Sequence, residues 1–168
     1  MDPHLERLQE ELASAVRGLS TRQLSWHPAG KWCTVEIVEH LYLSYTGTSK
    51  ALGRILESGQ PQAKVPSVKQ RVQAFILVSL GYFPTGRESP AAVRPKGAAT
   101  EKIVDEVGPK IAEMDAVMAK CAAKFGVDQK VLDHPILGPL SISQWRKFHL
   151  VHGLHHVKQI RHLRDLAV

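Results

Sequence analysis

Four long stretches of this chain repeat their apolar residues at helical spacing, and none alternates with the period of two that a half-buried strand requires. Leu5, Leu8, Leu12, Ala15, Val16 and Leu19 mark the first, over residues 3–18. Ile37, Leu41, Tyr45, Thr48, Leu52 and Ile55 mark the second, from Val35 to Leu56, with Thr34 as its expected N-cap and Glu36 in its first turn. Ile103, Val107, Ile111, Met114, Val117, Met118 and Cys121 mark the third, capped by Thr100 and running to Phe125. In the fourth, Trp145, Phe148, His152, His156, Ile160 and Leu163 trace one inward path, after a capping box formed by Ser141 and Gln144. These four predict an all-α chain folded as an antiparallel four-helix bundle.

The linking segments follow from their breakers. STRQLSWHPAGKW reads as a connection because of Pro28 and Gly30. The second connection is long. It contains a short helix over residues 68–80, VKQRVQAFILVSL, whose loose apolar period predicts burial on more than one side, under the following loop or at a homodimer interface. Residues 81–99 carry three prolines and three glycines. A structureless loop that long is uncommon without a role, and it is expected to lie across a site. Between helices three and four, Val131–Leu140 is apolar enough for a short hairpin, but Pro135 and Pro139 argue against a regular one.

At 168 residues and 43% hydrophobic, the chain suits one domain, residues 1–168, with one core. No apolar run is long enough to span a bilayer, and MDPHLERLQEE lacks the apolar region of a secretory signal, so a cytoplasmic location and no membrane partner are expected. Cys33 and Cys121 form neither a metal-finger spacing nor a disulfide framework. Cys33 precedes a helix N-terminus, which can lower a thiol pKa, but no partner base is identifiable. The net charge of +6 is concentrated in residues 58–100 (six Lys/Arg, one acid) and 141–168 (five, one). Within those segments the basic residues are scattered and not interleaved with aromatics, which argues against nucleic acid. A basic surround to a site would favour an anionic small molecule.

Chemistry concentrates in the last helix. Five of the nine histidines lie in HLVHGLHHVKQIRH, residues 149–162. His152 and His156 are one turn apart, about 6 Å along the axis, so one ion can bridge them. His40, at the edge of the second helix's apolar stripe, is the preferred third ligand if that helix packs alongside. His149, three residues before His152, is a competing ligand, and His155 points to a different side. Three protein ligands would leave a position open for water or substrate. Gln159, Glu36, Glu39 and Ser44 are candidates for orienting the imidazoles. Of these, Gln159 can reach His156 or a bound ligand, whereas Glu39 points about 100° from His40 and reads as a solvated acid. His134, before the rigid Pro135, is a candidate acid/base or substrate contact at the bundle mouth, against the simpler reading of a turn residue bonded to nearby backbone.

WCTVEIVEHL and HLVHGLHHVKQI together resemble motifs of the DinB/YfiT-like superfamily, small bacterial four-helix bundles (the damage-inducible metalloproteins, not the DNA polymerase of the same name). Trp32, Thr34 and His40 match the family's tryptophan, cap and helix-two histidine. His152, His155, His156 and Gln159 match its His-x-x-His-His-x-x-Gln pattern. HPILGPLSISQWRKFHLVHGLHH resembles one branch whose members have largely unassigned function. The resemblance implies a divalent ion, zinc or nickel, on His40, His152 and His156; beside that ion, the residue-level reading makes His134 and Gln159 the candidate catalytic residues. The resemblance further implies a metal-activated thiol or water acting on a small electrophile, as in thiol transferases that use low-molecular-weight thiols or in hydrolases, and a homodimer. The alternative is a non-catalytic metal- or ligand-binding bundle of the same fold.

Overall fold

The computed structural model describes residues 1–81, 89–97 and 101–167. The expected cap Thr100 lies outside the described residues. The chain is mostly helical: α1 Pro3–Val16, α2 Thr21–Ser25, α3 Thr34–Ser58, α4 Val68–Ala74, α5 Lys102–Phe125 and α6 Ile142–Leu166. A π-helical turn, Phe75–Ser79, prolongs α4, and a single 3-10 turn occupies Ala91–Val93.

Three of the four long helices, α1, α3 and α6, begin where a nearby side chain satisfies free N–H groups. Asp2 accepts from His4 N–H ahead of α1, and Pro3 at the first position gives up no needed donor. Ser141 and Gln144 cap α6 reciprocally, as their spacing predicts. At α3 the cap position is Cys33, one residue before the expected Thr34, because the Glu36 carboxylate reaches back to the Cys33 N–H at 2.8 Å. The same reciprocal arrangement at Ser20 and Gln23 starts α2, a helix that the Pro and Gly breakers of its segment obscured.

The four long helices share one core. α3 packs against α5, and α1 against α6. Leu5, Leu8, Leu41, Leu52, Ile55, Ile111, Met114, Met118 and Ile160 are fully buried there. Pro109 lies inside α5.

Two expectations require correction. The segment between α5 and α6 contains an antiparallel hairpin, β1 Lys130–His134 and β2 Gly138–Ser141, so the described residues are not purely helical. Both strands of a two-stranded ribbon are edge strands, so Pro139, opposite Asp133, sits where a missing donor can be tolerated. The pairing is irregular between Lys130 and Leu132. The second concerns α4 and only its expected burial within the chain, since the interface alternative is a matter of assembly. This helix has no buried residue; only Leu77 and Val78 of the following turn enter the core, and Val68, Val72, Phe75 and Leu80 face outward. Among the described residues, no helix is long and apolar enough to cross a membrane.

Candidate metal centre

His40 on α3 and His152 and His156 on α6 meet at one point. His152 Nε2 lies 3.0 Å from His40 Nε2 and 3.1 Å from His156 Nε2. Each of the three is buried, with 3–6% of its surface exposed. Two nitrogens bound at 2.0–2.1 Å to one tetrahedral ion are about 3.3 Å apart, so these spacings, with all three ligand atoms within 4.8 Å of one another, suit a shared divalent cation.

The remaining ring nitrogens decide which lone pairs are free. His40 Nδ1 lies 2.8 Å from the Val93 carbonyl, which can only accept, so Nδ1 carries the proton and Nε2 is bare. His156 Nδ1 donates to Gln159 Oε1 at 2.7 Å, which leaves its Nε2 bare too. Both bare nitrogens face His152 Nε2. A single proton there can serve one neighbour at a time, whereas a cation at the centre satisfies all three lone pairs. The donor set therefore fits a metal.

Burial keeps these rings neutral, the form a ligand must take. It lowers His40 despite the opposing Val93 carbonyl. It brings His156 to about 3, with the neighbouring His40 adding to the shift and the Gln159 bond opposing it. His152 is held well below the ordinary range by burial first and by His156 and His40 second. Aromatic walls close the site: Trp32 lies 5.3 Å from the His40 ring, and Phe148 stacks on His152 at 5.5 Å, 12° from parallel.

The other histidines stand apart. His149 is buried but turns to Thr48 (Nε2 to Oγ1, 3.2 Å), with burial taking it to about 3. His155 Nε2 meets Gln159 Nε2 at 3.2 Å, so Gln159 links His155 to His156. Gln159 itself is exposed and reaches His156 from behind, the place of an orienting group. His134 Nδ1 accepts the Ile136 and Leu137 N–H groups at 3.1 and 3.2 Å, so that nitrogen is occupied by its own turn. Its ring lies 4.5 Å from Phe148, and burial lowers it to about 4.

Among the remaining candidates, Ser44 donates to the His40 backbone carbonyl at 2.8 Å and touches no ring nitrogen through that bond, while Glu36 serves the α3 cap. Glu39 is not the solvated acid its helical position suggested. It is 7% exposed, and its Oε1 accepts the Lys96 N–H at 3.2 Å. The segment 89–97 thus lies over α3 beside the site, as the length of its loop suggested. No residue-level signal in the sequence marks the Val93 carbonyl, because any residue supplies one. Burial pushes the Cys33 thiol up, away from a nucleophile's range.

No curated protein and no solved structure gives a significant match to the chain. A family model described as a protein of unknown function (DUF1569) matches residues 1–163. With nearly its whole length matched, both histidine-bearing helices included, the chain belongs to the DUF1569 family.

Proposed function

We propose that this protein is a divalent-metal-dependent enzyme of the DinB-like four-helix type, acting on a small electrophilic substrate through an activated thiol or water. The single observation that carries this reading is the convergence of three buried imidazoles on α3 and α6, two with Nδ1 protons committed elsewhere. His40, His152 and His156 would hold the ion, zinc or nickel. When bound, such an ion supplies a lowered pKa to a thiol or water in its open position. The chain's own residues do the rest. Val93 and Gln159 orient the two outer rings, and Trp32 and Phe148 limit water around them. His134 is a turn-bound imidazole, neutral at pH 7, whose Nε2 is the atom left for a substrate contact. The excess of Lys and Arg favours an anionic substrate or a low-molecular-weight thiol. Association into a homodimer would cover the outward apolar residues of α4.

A specific observation favours a second reading, a closed and non-catalytic metal centre. The three rings are almost inaccessible, and a cleft of about 770 Å³ at the start of α3 is lined by Cys33, Glu36 and Glu39 rather than by the triad.

Metal analysis of the purified protein tests the proposal. Wild type is expected to carry about one zinc or nickel per chain, and His152→Ala to lose it, since two ligands remain of three. Unchanged metal content in His152→Ala would reject the triad. Turnover of a thiol with an electrophile, or hydrolysis, by the metal-loaded wild type separates the enzyme from the closed centre.

A further inference from the structure

The segment from Ser89 to Gly97 is built to be stiff. Pro90 and Pro95 restrict its backbone, Ala91–Val93 forms a 3-10 turn, and the Arg94 side chain returns to the Ser89 carbonyl at 2.8 Å. Two neighbouring residues of α3 hold this strap. His40 donates to the Val93 carbonyl, and Glu39 accepts from the Lys96 N–H. Adjacent helical residues point about 100° apart, so the two anchors lie on different sides of α3 and the strap crosses the helix between them. One anchor alone would leave the strap a pivot. Two fix the direction from which the Val93 carbonyl meets the ring.

The Glu39 anchor is unusual in its environment. A buried carboxylate ordinarily gathers several donors. Here Oε1 has the Lys96 N–H, and the buried Oε2 has no hydrogen-bond partner among the described residues. Glu39 sits beside the cleft at the start of α3, and the hydrogen bond its side chain makes is to the strap.

We infer that Glu39 is a positioning residue for the metal centre: it pins the strap at Lys96, and the pinned strap holds the Val93 carbonyl on His40 so that Nε2 stays bare and aimed at the shared ion. The inference rests on the metal-centre reading for its consequence, but the pinning itself is a property of the metal-free chain. Orienting partners of this kind are commonly worth about 10–100-fold in metal affinity.

The test compares wild type, Glu39→Leu and Glu39→Gln. Leucine removes the acceptor, whereas glutamine keeps a carbonyl oxygen at the same reach. In metal-free protein, ring ¹⁵N shifts report the His40 tautomer, and trypsin reports strap release at the exposed Lys96–Gly97 bond. Competitive zinc titration reports affinity. Glu39→Leu is expected to show a mixed His40 tautomer, faster cleavage at Lys96 and zinc binding weakened about tenfold or more, with glutamine restoring all three toward wild type. A merely structural role would lower the melting temperature of Glu39→Leu and leave the tautomer unchanged. A wild-type tautomer and cleavage rate in folded Glu39→Leu would overturn the inference. If wild type itself binds no zinc, the metal reading fails, and the tautomer and cleavage measurements still decide whether Glu39 pins the strap.

Discussion

Replacing Gly153 by valine is expected to destabilise the protein by about 3 kcal/mol, an overpacking cost at the upper end of the usual range. Gly153 sits in the middle of α6, next to His152, where α6 meets α1. A Cβ on Gly153 would lie 2.1 Å from Leu8 Cδ1 and 3.3 Å from two further Leu8 carbons. Leu8 is fully buried, so its side chain has little room to retreat. A helical glycine replaced by alanine ordinarily gains up to about 1 kcal/mol from propensity. Here that gain opposes a contact far inside van der Waals distance, and the contact wins. Valine adds two methyl groups to the same clash and loses part of the propensity gain. In a domain of this size the loss corresponds to a fall in Tm of roughly 10 °C. Leu8→Ala costs about 2–5 kcal/mol alone. Combined with Gly153→Val it should cost less than the sum, because the cavity receives the new side chain. Strict additivity in that double-mutant cycle, or a wild-type Tm for Gly153→Val, would show that α1 and α6 do not approach this closely.

Acid is expected to unfold the metal-free protein well before its carboxylates are all protonated. His149 is held at about 3 and His134 at about 4, chiefly by burial, against 6.5 for the free imidazole. The sign follows from proton counting. Below pH 6.5 the unfolded chain takes up these protons and the folded chain does not, so acid favours the unfolded state. The contribution of each ring is therefore complete above about pH 6.5. It is lost progressively as pH falls toward 4 for His134 and toward 3 for His149. Each contributes at most about 1.4 kcal/mol per pH unit within its window. From pH 6.5 to 4.5 the pair amounts to a ceiling of roughly 5 kcal/mol, which is comparable to the total stability of many domains. Urea unfolding of the metal-free protein at a series of pH values measures the slope. His149→Leu, which removes one of the protons that the buried histidines would take up on unfolding, should flatten it. Equal stability at pH 7 and pH 5 would mean that these rings are not buried as neutral groups.

Three kinds of information were legible to different degrees. The helix stripes and the Ser141–Gln144 cap came directly from local spacing, because a 3.6-residue period and a side chain reaching three residues back are properties of one helix alone. The pairing of His152 with His156 is of the same kind. The short helix α2 was also locally encoded, at Ser20 and Gln23, but proline and glycine in its segment masked the signal. The hairpin was obscured by Pro139, whose fit depends on lying in an edge strand. Glu39 was misplaced for a different reason. Its helical direction was right, but what waits in that direction is a strap arriving from 57 residues away.

What the sequence determined by itself was the four long helices and the helical face on which His40, His152 and His156 lie, since backbone geometry over a few residues decides both. Only the tertiary structure decided that residue 40 meets residues 152 and 156, that a carbonyl of Val93 selects the His40 tautomer, and that Gly153 carries no side chain because Leu8 occupies its place. These depend on contacts between segments far apart in the chain, and such contacts leave no period in the sequence that joins them.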